Sequence, residues 1–168
     1  MKAVFAGTFD PFTVGHADIV ERALAVFGGV TVAVAEQTGK NTASVADRVD
    51  IVKRSVSTMR NVSVVSFDGL LSDFVKSCGD CVLVRGVRNN RDLDYERELA
   101  SVYKRLCGSD TVFFVSSPSV ADVSSTVVRE LAALGAPLDG FVADEAKAIA
   151  AEIYGRRSSE KEQSCKNI

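Results

Sequence analysis

The sequence predicts an α/β protein built on a single doubly wound, parallel five-stranded sheet. Three observations carry that expectation. Short, nearly continuous apolar runs such as Val30-Thr31-Val32-Ala33-Val34-Ala35 recur along the chain. Between them lie segments whose apolar residues return at the helical period. Strands without polar alternation are buried on both faces, which calls for a parallel sheet covered by helices. Length and composition agree, since 168 residues with 46% apolar and 25% charged side chains suffice for one core and one domain.

The first strand is expected over 2–6, where Ala3-Val4-Phe5-Ala6 is apolar throughout. Ile19, Val20, Ala23, Leu24 and Phe27 then mark one face of a helix. Further strands are expected at 30–35, 62–66, 81–85 and 111–116. Between the second and third, Val45, Val49, Val52, Val56 and Met59 keep a helical rhythm, with Ser44 and Asp47 in capping-box positions. A shorter helix over 70–77 carries Leu70, Leu71, Phe74 and Val75. A long one over 91–107 follows the fourth strand and presents Leu93, Leu99, Ala100, Tyr103 and Leu106. At 100° per residue Glu96 falls inside that stripe, where a carboxylate needs a partner, and Arg88 is the nearest plausible one. Another helix begins near Ser124, and after Pro137 and Gly140 a last one runs from Ala143 to Tyr154. The domain is therefore set at 1–155. Residues 156–168 are polar and without periodicity, and are expected to form a disordered tail.

Several functions are disfavoured at once. A net charge of −2 provides no basic field for nucleic acid. The chain shows no leader pattern and no apolar run of membrane-spanning length, so no membrane partner and a cytoplasmic location are expected. Gly39-Lys40 lacks the earlier glycine of a P-loop, and no GxGxxG fingerprint is present. Cys78-Gly79-Asp80-Cys81 has redox or metal spacing, but it ends a helix and opens a strand, and a structural reading is preferred.

In doubly wound sheets, ligands bind beyond the carboxyl ends of the strands, where strand order reverses. An order of 3-2-1-4-5 would place the crevice between the first and fourth strands. The loops Gly7–His16, Gly39-Lys40, Arg85–Arg91 and Ser116–Thr126 all follow strands and would converge there. The first loop opens a helix with two glycines and the only histidine of the chain. A helix start aims unpaired N–H groups outward, which suits phosphate. Arg85 and Arg88 can bind phosphate oxygens through their forked donors. For Arg91 two readings stand, a phosphate ligand or a solvated residue paired with nearby acids.

Gly7-Thr8-Phe9-Asp10-Pro11-Phe12-Thr13-Val14-Gly15-His16 resembles the first signature of the nucleotidyltransferase superfamily, in its TxGH form. Ser124-Ser125-Thr126-Val127-Val128-Arg129 is similar to the second, SSTxxR-type signature. The run from Arg85-Gly86-Val87-Arg88 to Tyr95-Glu96 resembles the RGxRxxxDxxYE segment of the phosphopantetheine adenylyltransferases. This resemblance implies a Rossmann-like nucleotidyltransferase fold and transfer of the adenylyl group of ATP to 4'-phosphopantetheine, giving dephospho-coenzyme A and pyrophosphate. It implies that Thr8 and Phe9 line the nucleotide site, Thr8 also touching the acceptor's phosphate, and that His16 stabilises the transition state at the ATP phosphates. Lys40, Leu71 and Arg85 would hold the acceptor. Gly86, Val87, Arg88, Glu96 and the loop Val120, Ala121, Asp122, Val123, Ser124, Ser125 and Thr126 would hold ATP. An aromatic residue often precedes the serines in the family, and Val120-Ala121-Asp122-Val123 departs from that form.

Mg²⁺ carried mainly by the ATP phosphates and a homo-oligomer, a hexamer, are implied in the same way. Asp10 is the nearest candidate carboxylate for the metal and equally a candidate structural cap. Mononucleotide adenylyltransferases and cytidylyltransferases generally carry HxGH where this chain has Thr13, and lack the Arg85–Glu96 run. A nucleotide sensor without turnover would be marked by loss of His16 or Lys40, and both are present.

Overall fold

The computed structural model describes residues 2–37 and 43–165, with side chains up to residue 155. Five parallel strands stand in the order β3-β2-β1-β4-β5. They are β1 (Lys2–Gly7), β2 (Val30–Ala35), β3 (Val62–Phe67), β4 (Cys81–Val87) and β5 (Thr111–Val115). The helices are α1 (Val14–Phe27), α2 (Val45–Ser55), α3 (Leu71–Ser77), α4 (Asn90–Cys107), α5 (Ser125–Ala133) and α6 (Asp144–Cys165), with a 3-10 turn at Pro118–Val120. The expected class and strand order hold, and the order reverses between β1 and β4.

Alternate residues of each strand point to opposite faces, and the core is split accordingly. Ala3, Phe5, Val32, Val82 and Val84 meet α1, α2, α5 and α6 on one face. Val4, Ala6, Ala33, Cys81 and Leu83 meet α3 and the inner side of α4 on the other. Cys78 and Cys107 pack beside Cys81 in this second cluster, far from the carboxyl ends of the strands. No helix among the described residues is long and apolar enough to cross a membrane.

Three local expectations change. β4 continues to Val87, two residues past the expected end at Arg85, so Gly86 and Val87 belong to the strand and not to the loop after it. Arg85 shares the face of Cys81 and Leu83, and this alternation turns it toward α4. In α2 the buried stripe is Arg48, Ile51, Val52 and Ser55, rotated from the valine rhythm because a guanidinium occupies the innermost place. α6 runs on past Tyr154, where the sequence reading ends the helix. The segment beyond is rich in Glu, Lys and Arg, which are good helix formers, so losing the apolar stripe removes a buried face without stopping the helix.

Candidate active site

A cleft of about 540 Å³ opens beyond the carboxyl ends of β1 and β4. Its floor is the stretch from Gly7 to His16, whose backbone is held in an unusual path. Phe9 has φ 49° yet buries its ring, a left-handed conformation that costs a non-glycine residue about 1–2 kcal/mol. Gly7 accommodates that ring, because a Cβ there would lie 2.9 Å from Phe9 Cζ. The glycine thus serves the packing of Phe9.

Neighbours from α6, from α5 and from the approach to α2 fix the loop. Asp10 is buried, and its Oδ1 accepts the Tyr154 hydroxyl of α6 at 2.6 Å and the Ala43 N–H at 3.2 Å. Of the two readings of Asp10, these contacts favour the structural one. Arg129 of α5 donates to the Asp10 carbonyl, and through Nη2 to Thr126 Oγ1 at 3.1 Å. The arginine of the second signature thus braces the first signature. Ser125 adds a bond from its hydroxyl to the Pro11 carbonyl at 2.8 Å.

His16 stands on the third residue of α1, and its Nδ1 accepts the Thr13 N–H at 3.0 Å. A nitrogen that accepts from an amide carries no proton, so the ring proton sits on Nε2, on the opposite side and toward the cleft. Phe9 and Phe12 stand 5.2 Å from the ring, and Phe5 stands 6.2 Å away. Burial among them, followed by the positive charge of Arg88, lowers the pKa from 6.5 to about 4. The imidazole is neutral at pH 7 and presents one fixed donor.

The opposite wall comes from β4, α4 and α5. Arg85 donates from Nε to Glu96 Oε2 at 2.6 Å and from Nη2 to Glu96 Oε1 at 3.0 Å. Its Nη1 donates to the Ala6 carbonyl of β1 at 2.8 Å. Glu96 does face inward, but its partner is Arg85 and not Arg88, since the strand alternation points Arg85 at α4. Arg88 lies past the strand end and pairs with Asp92 at 3.0 Å. Gly86 faces α1, where a Cβ would come within 2.8 Å of Ile19 Cγ1. Ser124 caps α5 by accepting the Val127 N–H at 3.2 Å, and Ser125 and Thr126 of the first turn line the cleft beside it.

The cleft therefore gathers Thr8, Phe9, His16, Arg85, Gly86, Arg88, Glu96, Val123, Ser124, Ser125 and Thr126. Val87 is buried beside Val115 of β5, and Leu71 at the start of α3 packs against the second core cluster, and neither lines the cleft. Val120, Ala121 and Asp122 do not line the cleft, and the Val120 carbonyl lies 3.5 Å from where a Cβ on Gly15 would stand. Lys40 lies outside the described residues. Arg91, Asp92 and Tyr95 also line the cleft. All three lie in the run that resembles the RGxRxxxDxxYE segment, Asp92 and Tyr95 at its D and Y positions, though only Arg91 was weighed there as a ligand.

A family model described as cytidylyltransferase-like matches residues 4–131. The phosphopantetheine adenylyltransferase of Porphyromonas gingivalis is 40% identical over 141 residues, covering 83% of this chain and 92% of the relative. That of Corynebacterium glutamicum is 37% identical over 159 residues, covering 94% and 99%. Among solved structures, a putative nicotinate-nucleotide adenylyltransferase from Vibrio parahaemolyticus superposes with a TM-score of 0.73 at 15% identity, covering 92% of this chain and 94% of that one. At that identity the likeness speaks for the fold alone.

Proposed function

The chain belongs to the phosphopantetheine adenylyltransferases, within the cytidylyltransferase-like family, and on that premise we propose how its cleft works. The enzyme transfers the adenylyl group of ATP to 4'-phosphopantetheine, giving dephospho-coenzyme A and pyrophosphate. The acceptor's phosphate attacks the α-phosphorus in line, the bond to pyrophosphate breaks, and no covalent enzyme intermediate forms. A phosphate monoester with a second pKa of about 6 is already ionised at neutral pH, so no general base is needed. Catalysis then consists of positioning and of electrostatic stabilisation of a charge-rich transition state.

His16 supplies a neutral Nε2–H donor to the reacting phosphate. The first turn of α5 and Arg88 hold the ATP phosphates, with Thr8, Phe9, Gly86 and Val123 around the nucleotide. Arg85, Thr8 and Lys40 hold the acceptor. Glu96 acts through Arg85, fixing the guanidinium so that the remaining protons on Nη1 and Nη2 meet the acceptor. The nearby carboxylates of Glu96 and Asp92 are already paired with arginines, which fits Mg²⁺ held by phosphate oxygens and water and neutralising part of their charge. A hexameric assembly and a cytoplasmic setting complete the proposal. The exposed Leu93, Val102 and Leu106 of α4 and Val115 of β5 supply apolar surface for contact between copies.

The observation that carries the reading is the meeting of His16, Arg85, Arg88 and the α5 start around one cleft. Its test is pyrophosphate release from ATP with 4'-phosphopantetheine and with nicotinate mononucleotide in parallel. Turnover with the first alone is expected. Turnover with the second alone would transfer the chain to the mononucleotide enzymes.

A further inference from the structure

Arg48 is fully buried at 0% exposure, yet it is spent entirely on backbone. Its Nη1 donates to the carbonyls of Thr8 at 2.6 Å and Ala35 at 2.8 Å. Nη2 reaches the Glu36 carbonyl at 3.0 Å, and Nε the Ala43 carbonyl at 3.3 Å. Among the described residues it forms no ion pair, though the negative charge of Asp10 lies close enough to offset part of its burial. A charge this deep is costly unless its donors are satisfied. The carbonyls it selects are not scattered. One belongs to the first residue after β1, two to the end of β2 and the residue beyond it, and one to the approach to α2.

We infer that Arg48 is a positioning residue for adenylyl transfer, holding Thr8 and the backbone beyond β2 in register from beneath the cleft. The Thr8 carbonyl is turned down to the guanidinium while Thr8 itself lines the cleft above. A shift of that peptide therefore moves the group proposed to meet the acceptor's phosphate. The β4 and α5 wall, proposed to hold ATP, makes no hydrogen bond with Arg48 among the described residues. The planar fork matters, because four carbonyls in different directions cannot be met by three ammonium protons on a lysine stem. The sequence signal was a charged residue at an innermost place of α2, spaced three, four and seven residues from Ile51, Val52 and Ser55.

The inference rests on the adenylyl-transfer reading, and its test separates the two. Arg48→Lys is preferred to Arg48→Met, whose loss of every bond threatens folding itself. In a variant shown to be folded by circular dichroism, the acceptor KM is expected to rise or kcat to fall by roughly tenfold to a hundredfold. The KM for ATP, whose phosphates are held by the β4 and α5 wall, should change less than the acceptor term, and the ¹³C carbonyl resonances of Thr8 and Ala35 should move more than those of α5. Unchanged kcat and acceptor KM in a protein that merely melts earlier would make Arg48 a fold residue only and overturn the inference. A wild type without turnover would overturn the proposed function instead. The carbonyl resonances would then decide on Arg48, with unmoved resonances counting against it.

Discussion

Arg85 of β4 and Glu96 of α4 meet in a two-point ion pair, Nε to Oε2 at 2.6 Å and Nη2 to Oε1 at 3.0 Å. The third arm of the guanidinium reaches the Ala6 carbonyl of β1 at 2.8 Å, so one arginine links the strands on both sides of the cleft to the long helix. Glu96→Gln keeps the shape and removes the charge that makes the fork–fork pair strong. The acceptor KM is expected to rise about tenfold, a loss of ~1.4 kcal/mol. Steady-state kinetics with each substrate varied will check this. A rise confined to the KM for ATP would place Glu96 on the nucleotide and not on Arg85.

The single histidine makes the second prediction direct. Its folded pKa of about 4 lies below the ordinary 6.5, so the fold favours the neutral ring. The stability from this term is full above about pH 6.5 and is lost as pH falls through about 4. ¹⁵N-histidine spectra should show one Nε2–H tautomer with no titration from about pH 8 to 5.5. His16→Ala should lower kcat by roughly 10²–10³, the range for one donor to a transition-state oxygen, with little change in acceptor KM. A ring that titrates near 6.5 would place His16 in water.

Tyr154 carries the third. Burial, and next its bond to Asp10, hold its pKa well above the usual 10.0. In the unfolded chain the phenol ionises as pH passes about 10, while the folded protein keeps its proton. Stability from this group is therefore present below that pH and declines above it. Tyr154→Phe should cost about 1–2 kcal/mol by leaving the buried Asp10 short of a donor. It should also flatten the alkaline decline, read by urea unfolding at a series of pH values.

The fourth concerns the end of the chain. Among the residues of α6 whose side chains are described, the buried ones are Ala146, Ala150 and Tyr154. Deleting 157–168 should leave the melting temperature within about 2 °C and adenylyl transfer intact. Aggregation or loss of most activity would show that the segment belongs to the working enzyme.

What the sequence determined by itself was the architecture and the location of the chemistry. Near-continuous apolar strands alternating with 3.6-period helices admit few arrangements, because connections are short and right-handed. Loops after parallel strands can only gather at one edge of the sheet, and so His16, Arg88 and Ser124 to Thr126 meet in one cleft. Tertiary structure alone decided the partners. Glu96 was legible as an inward carboxylate, but that it meets Arg85 and not Arg88 depends on how far β4 extends and on which face Arg85 then occupies. Arg48 and Tyr154 reach the signature loop across sequence separations of 40 and 144 residues, and no local period records such a bond. Periodicity tells a residue which face it occupies; only packing tells it what is waiting there.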